Sequence, residues 1–192
     1  AINNPENSDA GMRDVYFSRE LYIEREDFME NPSGKFFRLK PGGEVRLKYA
    51  YIIKCESVVK DINGEISEIH CSYEPDTRSG MPNSNKKVKG TLHWVSVQHA
   101  LPVEVRLYDR LFSKENPDDV EEGQNFKDFL NPDSLRIIRA YAENSLKNAL
   151  KGTKYQFERI GYFCVDDDSE EGKPVFNRTV TLKDTWAKIM NQ

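Results

Sequence analysis

GGEVRLKYAYIIKCE, residues 42–56, is the stretch on which the fold turns. Val45, Leu47, Tyr49, Tyr51, Ile53 and Cys55 share one face of an extended chain, and Arg46, Lys48 and Lys54 share the other. A strand buried on one side requires this period of two, because successive side chains point to opposite faces. The pattern predicts a single strand over residues 44–58 with both tyrosines facing the core. Arg46 and Lys48 would then stand about 7 Å apart, close to the spacing of successive phosphates along one nucleic-acid strand.

Strand signals recur on either side, at residues 21–24, 35–39, 65–73, 88–97, 103–107, 135–141, 155–165 and 175–182. Asp61-Ile62-Asn63-Gly64 supplies turn residues that tolerate positive φ, so 44–58 and 65–73 are expected to pair as an antiparallel hairpin. Helix signals are few: residues 144–150 with an Asn or Ser cap, a terminal turn at 184–190, and at most one turn at 27–31. Many short strands with irregular connections predict an all-β protein of two small antiparallel β-barrels. The boundary is placed between residues 95 and 96, giving units 1–95 and 96–192.

Ten Phe, nine Tyr and two Trp in 192 residues argue for packed cores, although charged residues make up 31% of the chain. The net charge of −4 means that any grip on nucleic acid must come from local patches. Cys55, Cys71 and Cys164 are far apart in sequence and lack a CxxC spacing, so neither a disulfide framework nor a zinc site is expected. A reduced, cytoplasmic protein follows from that usage. No apolar run is long enough for a membrane span, and no signal peptide opens the chain. The start at Ala1, without Met, is expected to be that of a fragment of a longer protein.

The sequence offers no catalytic or metal-binding constellation. His70, His93 and His99 have no ligand spacing, and no nucleophile elbow or phosphate loop is present. The acidic run Asp166-Asp167-Asp168 is expected to repel itself and stay solvated. The polar residues that do form a pattern are Lys35, Arg38, Lys40, Arg46, Lys48 and Lys54, interleaved with Phe36, Phe37, Tyr49 and Tyr51. Cations beside aromatic rings suit single-stranded RNA, whose unpaired bases stack while its phosphates are held. An ordinary solvated strand face would look the same. Gln156 and Arg159 carry planar hydrogen-bonding groups suited to base edges. Strict alternation would separate them, unless a bulge near Gly161 turned them to one side.

At these residues the chain resembles the C-terminal anticodon-binding region of glutaminyl-tRNA synthetases. The segments carrying the resemblance are GGEVRLKYAYIIK, KKVKGTLHWVSVQHALPVEVRLYDRLF, YQFERIGYFC and KPVFNRTVTLKDTWAK, in the family's order. The resemblance implies two barrels of the class shared with a 5S-rRNA-binding ribosomal protein. The distal barrel falls on the first half of the chain. The proximal barrel falls on the second, its opening strand lying upstream of Ala1 and one edge therefore left exposed. It also implies that Arg46 contacts the first anticodon base and its phosphate. Arg38 would read the third base, a guanine, while Gln156 and Arg159 would line the pocket of the central uridine. Lys48 stands where the family often has arginine, exchanging a fork for a point charge. Gly34-Lys35-Phe36-Phe37 replaces a polar stretch of some members. The implied partners are the anticodon loop of glutamine tRNA and an upstream catalytic domain of the same polypeptide, with no membrane and no DNA. The parent enzyme would use ATP with Mg; this chain holds neither ATP-binding signature, so no cofactor and no catalysis are expected of it alone. The alternatives are the matching region of an archaeal or eukaryotic-type glutamyl-tRNA synthetase and a β-barrel protein-interaction module without RNA.

Overall fold

The computed structural model describes residues 1–78 and 80–182. These residues form strands and short 3-10 turns, and no α-helix occurs among them. The chain divides into two compact units, Ala1–His99 and Ala100–Gln192.

In the first unit, β1 is Leu21–Ile23, β2 Glu44–Leu47, β3 Ile52–Lys60, β4 Ile66–Glu74, β5 Thr91–Leu92 and β6 Trp94–Ser96. The main sheet runs β4-β3-β2-β5, and β1 pairs with β6 beside it. Pairing is antiparallel except between β2 and β5. Leu39, Val45, Leu47, Cys55, Leu92 and Trp94 form the core. Each fully buried aliphatic side chain there contributes about 1.5–3 kcal/mol.

In the second unit, β7 is Leu101–Tyr108, β8 Leu135–Ala142, β9 Lys154–Phe157, β10 Gly161–Val165 and β11 Val175–Thr181. The sheet order is β8-β7-β11-β10-β9, with β7 and β11 parallel and the other pairs antiparallel. Alternation along β7 buries Leu101, Val103 and Val105 against Phe163, Val165 and Phe176. The all-β expectation holds, with one parallel pair in each main sheet.

Two long strands expected from alternation are hairpins. The run 44–58 breaks after Leu47, where Tyr49 takes φ +63° and the Ala50 amide donates to the Leu47 carbonyl at 2.9 Å. The inward phase of Val45 and Leu47 is regained by Ile53 and Cys55, so the sequence pattern hides the turn. Tyr49 is consequently exposed and not a core residue, while Tyr51 packs its ring edge-on to Phe17 and Tyr73. The run 155–165 breaks in the same way: Arg159 takes φ +64° and the Ile160 amide donates to the Phe157 carbonyl.

The expected strand 35–39 is reduced to a bridge between Leu39 and Phe28. Residues 88–97 divide into β5 and β6. The 60–64 turn forms as expected, with Gly64 at φ +81° and Asp61 Oδ1 accepting from the amides of Asn63 and Glu65. The helix expected at 144–150 is a 3-10 turn, Asn144–Asn148, that follows Glu143 without a side-chain cap. That at 27–31 is Arg25–Asp27. The 184–190 turn lies outside the described residues.

Asp166 and Asp168 are not simply solvated loop charges. Arg106 holds Asp168 at 2.7 Å and Asp166 at 3.5 Å, and Asn177 donates to Asp166. The Asp168 amide, then Asn177, then the Arg106 charge hold the Asp166 carboxyl below its usual range.

Candidate nucleic-acid interface

Arg46 lies on β2, between the buried Val45 and Leu47, so its side chain leaves the core. Its guanidinium donates to the carbonyls of Thr77 at 2.7 Å, Lys86 at 2.9 Å, Ser84 at 3.2 Å and Ala50 at 3.5 Å. Thr77, fully buried, accepts the Ile52 amide at its hydroxyl. Lys86 is held in turn by Glu44 and Glu74. Arg46 is therefore the tie between β2 and the segment that leaves β4, a role that strand alternation does not reveal.

Arg38 precedes the buried Leu39. Its Nε pairs with Asp27 Oδ1 at 2.8 Å; the Asp27 side chain is 5% exposed and that of Arg38 36%. A buried carboxylate fixes an arginine at one edge of its fork, and a guanidinium has further donors on its Nη atoms. Gly90 couples the two arginines. Its carbonyl accepts the Arg46 amide at 2.9 Å. A Cβ on Gly90 would stand 2.2 Å from the carbonyl oxygen of Phe37, the residue before Arg38.

Lys48 begins the turn, where its amide donates to Leu92 and its carbonyl accepts Trp94 Nε1. Its ammonium stands 5.0 Å from the centre of the Tyr49 ring, and the Arg13 guanidinium stands 5.8 Å from the same ring. Because the strand ends at Leu47, the even spacing of Arg46 and Lys48 along one strand is lost. In its place is a turn that presents an exposed ring near two cations. Sequence reasoning missed Arg13 and placed Tyr49 inside; the left-handed backbone that exposes the ring leaves no periodic signal. Elsewhere in the unit the exposed rings of Phe17 and Tyr73 pack on Tyr51, and Phe17 also packs on the buried Trp94. Lys54 instead pairs with Glu56.

In the second unit Gln156 is exposed on β9, directly across from the exposed Tyr162 of β10. Arg159 is exposed in the turn between those strands. The register shift expected near Gly161 occurs between Tyr162 and Phe163, in the pairing of β10 with β11. What turns Arg159 out of the strand is the hairpin itself. A Cβ on Gly161 would approach the Val180 carbonyl oxygen to 2.5 Å, so the hairpin lies tight against β11.

No cluster of His, Cys, Asp or Glu with metal-ligand geometry occurs among the described residues, and no helix there is long and apolar enough to cross a membrane. The described residues thus form an all-β protein with exposed rings, amides and cations at two hairpin turns, a surface of the kind that single-stranded nucleic-acid recognition uses. Family models described as the anticodon-binding domain of class I tRNA synthetases (E and Q) match residues 1–74 and 91–166. The chain belongs to this family of anticodon-binding domains. It is 55% identical over 189 residues to the glutamine–tRNA ligase of Rhodopirellula baltica, covering 98% of this chain and 31% of that protein. The glutamine–tRNA ligase of Nitrosomonas europaea is 53% identical over 98% of this chain and 34% of its own length. That of Cupriavidus taiwanensis is 54% identical over 96% and 32%. The chain thus spans about one third of the length of the curated relatives it matches.

Proposed function

We propose that this chain reads the anticodon of glutamine tRNA for a glutamine–tRNA ligase. The observation that carries the proposal is the match of nearly the whole chain, through both units, to proteins of that name. The first unit serves as the distal barrel and the second as the proximal barrel. A catalytic domain of the same polypeptide uses ATP to join glutamine to the tRNA, in the cytoplasm, and this chain alone forms no glutaminyl-adenylate.

The chemistry is recognition. Arg38, fixed at Nε by Asp27, presents its Nη pair to O6 and N7 of the third base, a guanine. Gln156 and Arg159 offer amide and guanidinium donors to the central uridine. Tyr162, across the strand from Gln156, gives that base an aromatic neighbour. Lys48 holds phosphate. Arg46 contributes to the site of the first base, and here its carbonyl bonds compete: each bond given to RNA replaces one that orders the loop after Thr77.

Binding of an anticodon stem-loop to the wild-type chain and to Arg38→Ala tests the proposal. The variant is expected to lose about 1–3 kcal/mol of affinity for the cognate loop and to stop discriminating against a changed third base. Equal weakening toward every loop would reduce Arg38 to a phosphate contact. Affinity indifferent to salt would exclude phosphate binding altogether.

A further inference from the structure

Cys55 of β3 and Cys71 of β4 are direct cross-strand partners. The Cys55 amide donates to the Gly43 carbonyl at 3.1 Å, and its carbonyl accepts the Gly42 amide at 2.9 Å. Both backbone groups of Cys55 thus point away from β4. The cysteines occupy a non-hydrogen-bonded position of the β3–β4 ladder, where paired residues approach most closely, with Cα atoms about 4.5 Å apart. Paired residues project from the same face of a sheet. A disulfide spans Cα separations of about 4.4–6.8 Å, so this position admits one at the short end of the range. The pair also sits beside a fault in the ladder. The register shifts between Cys55 and Ser57, which gives the two strands local freedom to adjust.

Access differs between the two residues. Cys55 is fully buried in the core. Cys71 is exposed and lies on β4, the outer strand of its sheet. We propose that Cys55 and Cys71 are a thiol–disulfide modification site that closes as a reversible cross-strand bridge.

The oxidant is a small-molecule disulfide of the glutathione type. The Cys71 thiolate attacks one sulfur of that disulfide. The S–S bond breaks, and the departing thiolate takes up a proton. The Cys55 thiolate then displaces the second small thiol from Cys71. In sum two protein S–H bonds are lost, one S–S bond forms, and the oxidant is reduced to two thiols. Such a bridge would carry the exposed Cys71 on an outer strand, and exposed bridges are open to reduction by a thiol. Desolvation pushes the Cys71 thiol up to about 12 and also raises that of Cys55. Exchange is therefore slow at neutral pH and accelerates about tenfold per pH unit, because the thiolate is the attacking species. Cys164 has no such partner: across from it stand Lys154 and Asn177.

The test uses the full chain, incubated with glutathione disulfide at mildly alkaline pH, then unfolded for thiol counting and peptide mapping. Two of the three thiols should disappear, with a mass lower by two hydrogen atoms and a peptide joining Cys55 to Cys71. Cys164 should remain alkylatable, and Cys164→Ser should behave identically. Dithiothreitol should restore both thiols. A lasting glutathione adduct on Cys71, a Cys55 thiol that survives, or a bond formed only between chains would each overturn the assignment.

Discussion

The hairpin of β2 and β3 turns at Tyr49, with φ +63°; the hairpin of β9 and β10 turns at Arg159, with φ +64°. Among the described residues these are the non-glycine positions with positive φ. A left-handed backbone costs an ordinary side chain about 1–2 kcal/mol, and such strain collects at working surfaces. The two units thus use one backbone device to present two chemistries: a ring beside cations in the first, and in the second a guanidinium at the turn with Gln156 exposed on the strand before it. Their support differs. The first turn is tied from behind by Trp94 and Leu92 and continues into a residue, Arg46, that bonds four carbonyls. The second sits on β9, the outer strand of its sheet. The first turn is thus bound to the strands behind it, whereas the second lies at the edge of its sheet.

The largest effect is expected where backbone meets backbone. Gly90→Ala would place a Cβ 2.2 Å from the Phe37 carbonyl oxygen and 3.0 Å from Val45. Neither neighbour is the end of a flexible chain. Chemical denaturation should show a loss toward the upper end of about 1–3 kcal/mol. Gly161→Ala meets the Val180 carbonyl oxygen at 2.5 Å and also sits at φ +157°, which strains any side chain, so its loss should be at least as large. A smaller loss at Gly161 than at Gly90 would mean that the backbone around Gly161 shifts to make room.

The arginines separate the units next. Arg46→Ala leaves the Thr77, Ser84 and Lys86 carbonyls without their donor, and should cost about 1.5–3 kcal/mol of stability. Arg159→Ala, at an exposed position, should cost less stability than Arg46→Ala. Both should weaken an anticodon loop. If Arg46→Ala is as stable as the wild type, its carbonyl bonds are incidental.

How much of this the sequence could disclose follows from the same residues. The alternation Val45-Leu47 and Ile53-Cys55 correctly marks inward positions, because the turn between them preserves the phase of the pattern. For that reason the turn itself is invisible: hydrophobic periodicity reports burial, and a tyrosine at positive φ has no compositional signature. Arg38 and Arg46 were equally legible as candidates and differ only in partners distant in sequence, Asp27 for one and the loop after Thr77 for the other. The facing of Cys55 and Cys71 depends on register across a bulge, which spacing alone does not encode. The acidic run at Asp166 looked self-repelling because its counter-ion, Arg106, comes from another strand.

The left-handed turns can be compared directly by substituting each with alanine and with glycine. Tyr49→Gly should be more stable than Tyr49→Ala by about 1 kcal/mol, and Arg159→Gly than Arg159→Ala by a similar amount. Both Tyr49 variants should bind an unpaired loop more weakly than the wild type, by about 1–3 kcal/mol if a base stacks on the ring. Stability that rises with glycine while binding falls would show that the strain is retained for the surface. Binding unchanged by either substitution at Tyr49 would confine the ring to packing against Lys48 and Arg13.

The smallest contrast is in acid. Each unit has a carboxylate held below its usual range: Glu56 by the Ser72 hydroxyl and then Lys54, and Asp166 by the Asp168 amide, then Asn177, with Arg106 contributing charge. A carboxylate with a lowered folded value contributes stability that is complete above its unfolded value, about 4. That stability drains as the pH falls through the lowered folded value, because protonation then favours the unfolded chain. The side chain of Asp166 is 16% exposed and that of Glu56 48%, so solvent screens Glu56 far more. Asp166→Asn should therefore flatten the acid limb of the stability–pH curve below about pH 4, while Glu56→Gln should leave it nearly unchanged. If Glu56→Gln flattened that limb as much, the hydroxyl bond from Ser72 would outweigh burial, and the first unit would be the more acid-sensitive of the two.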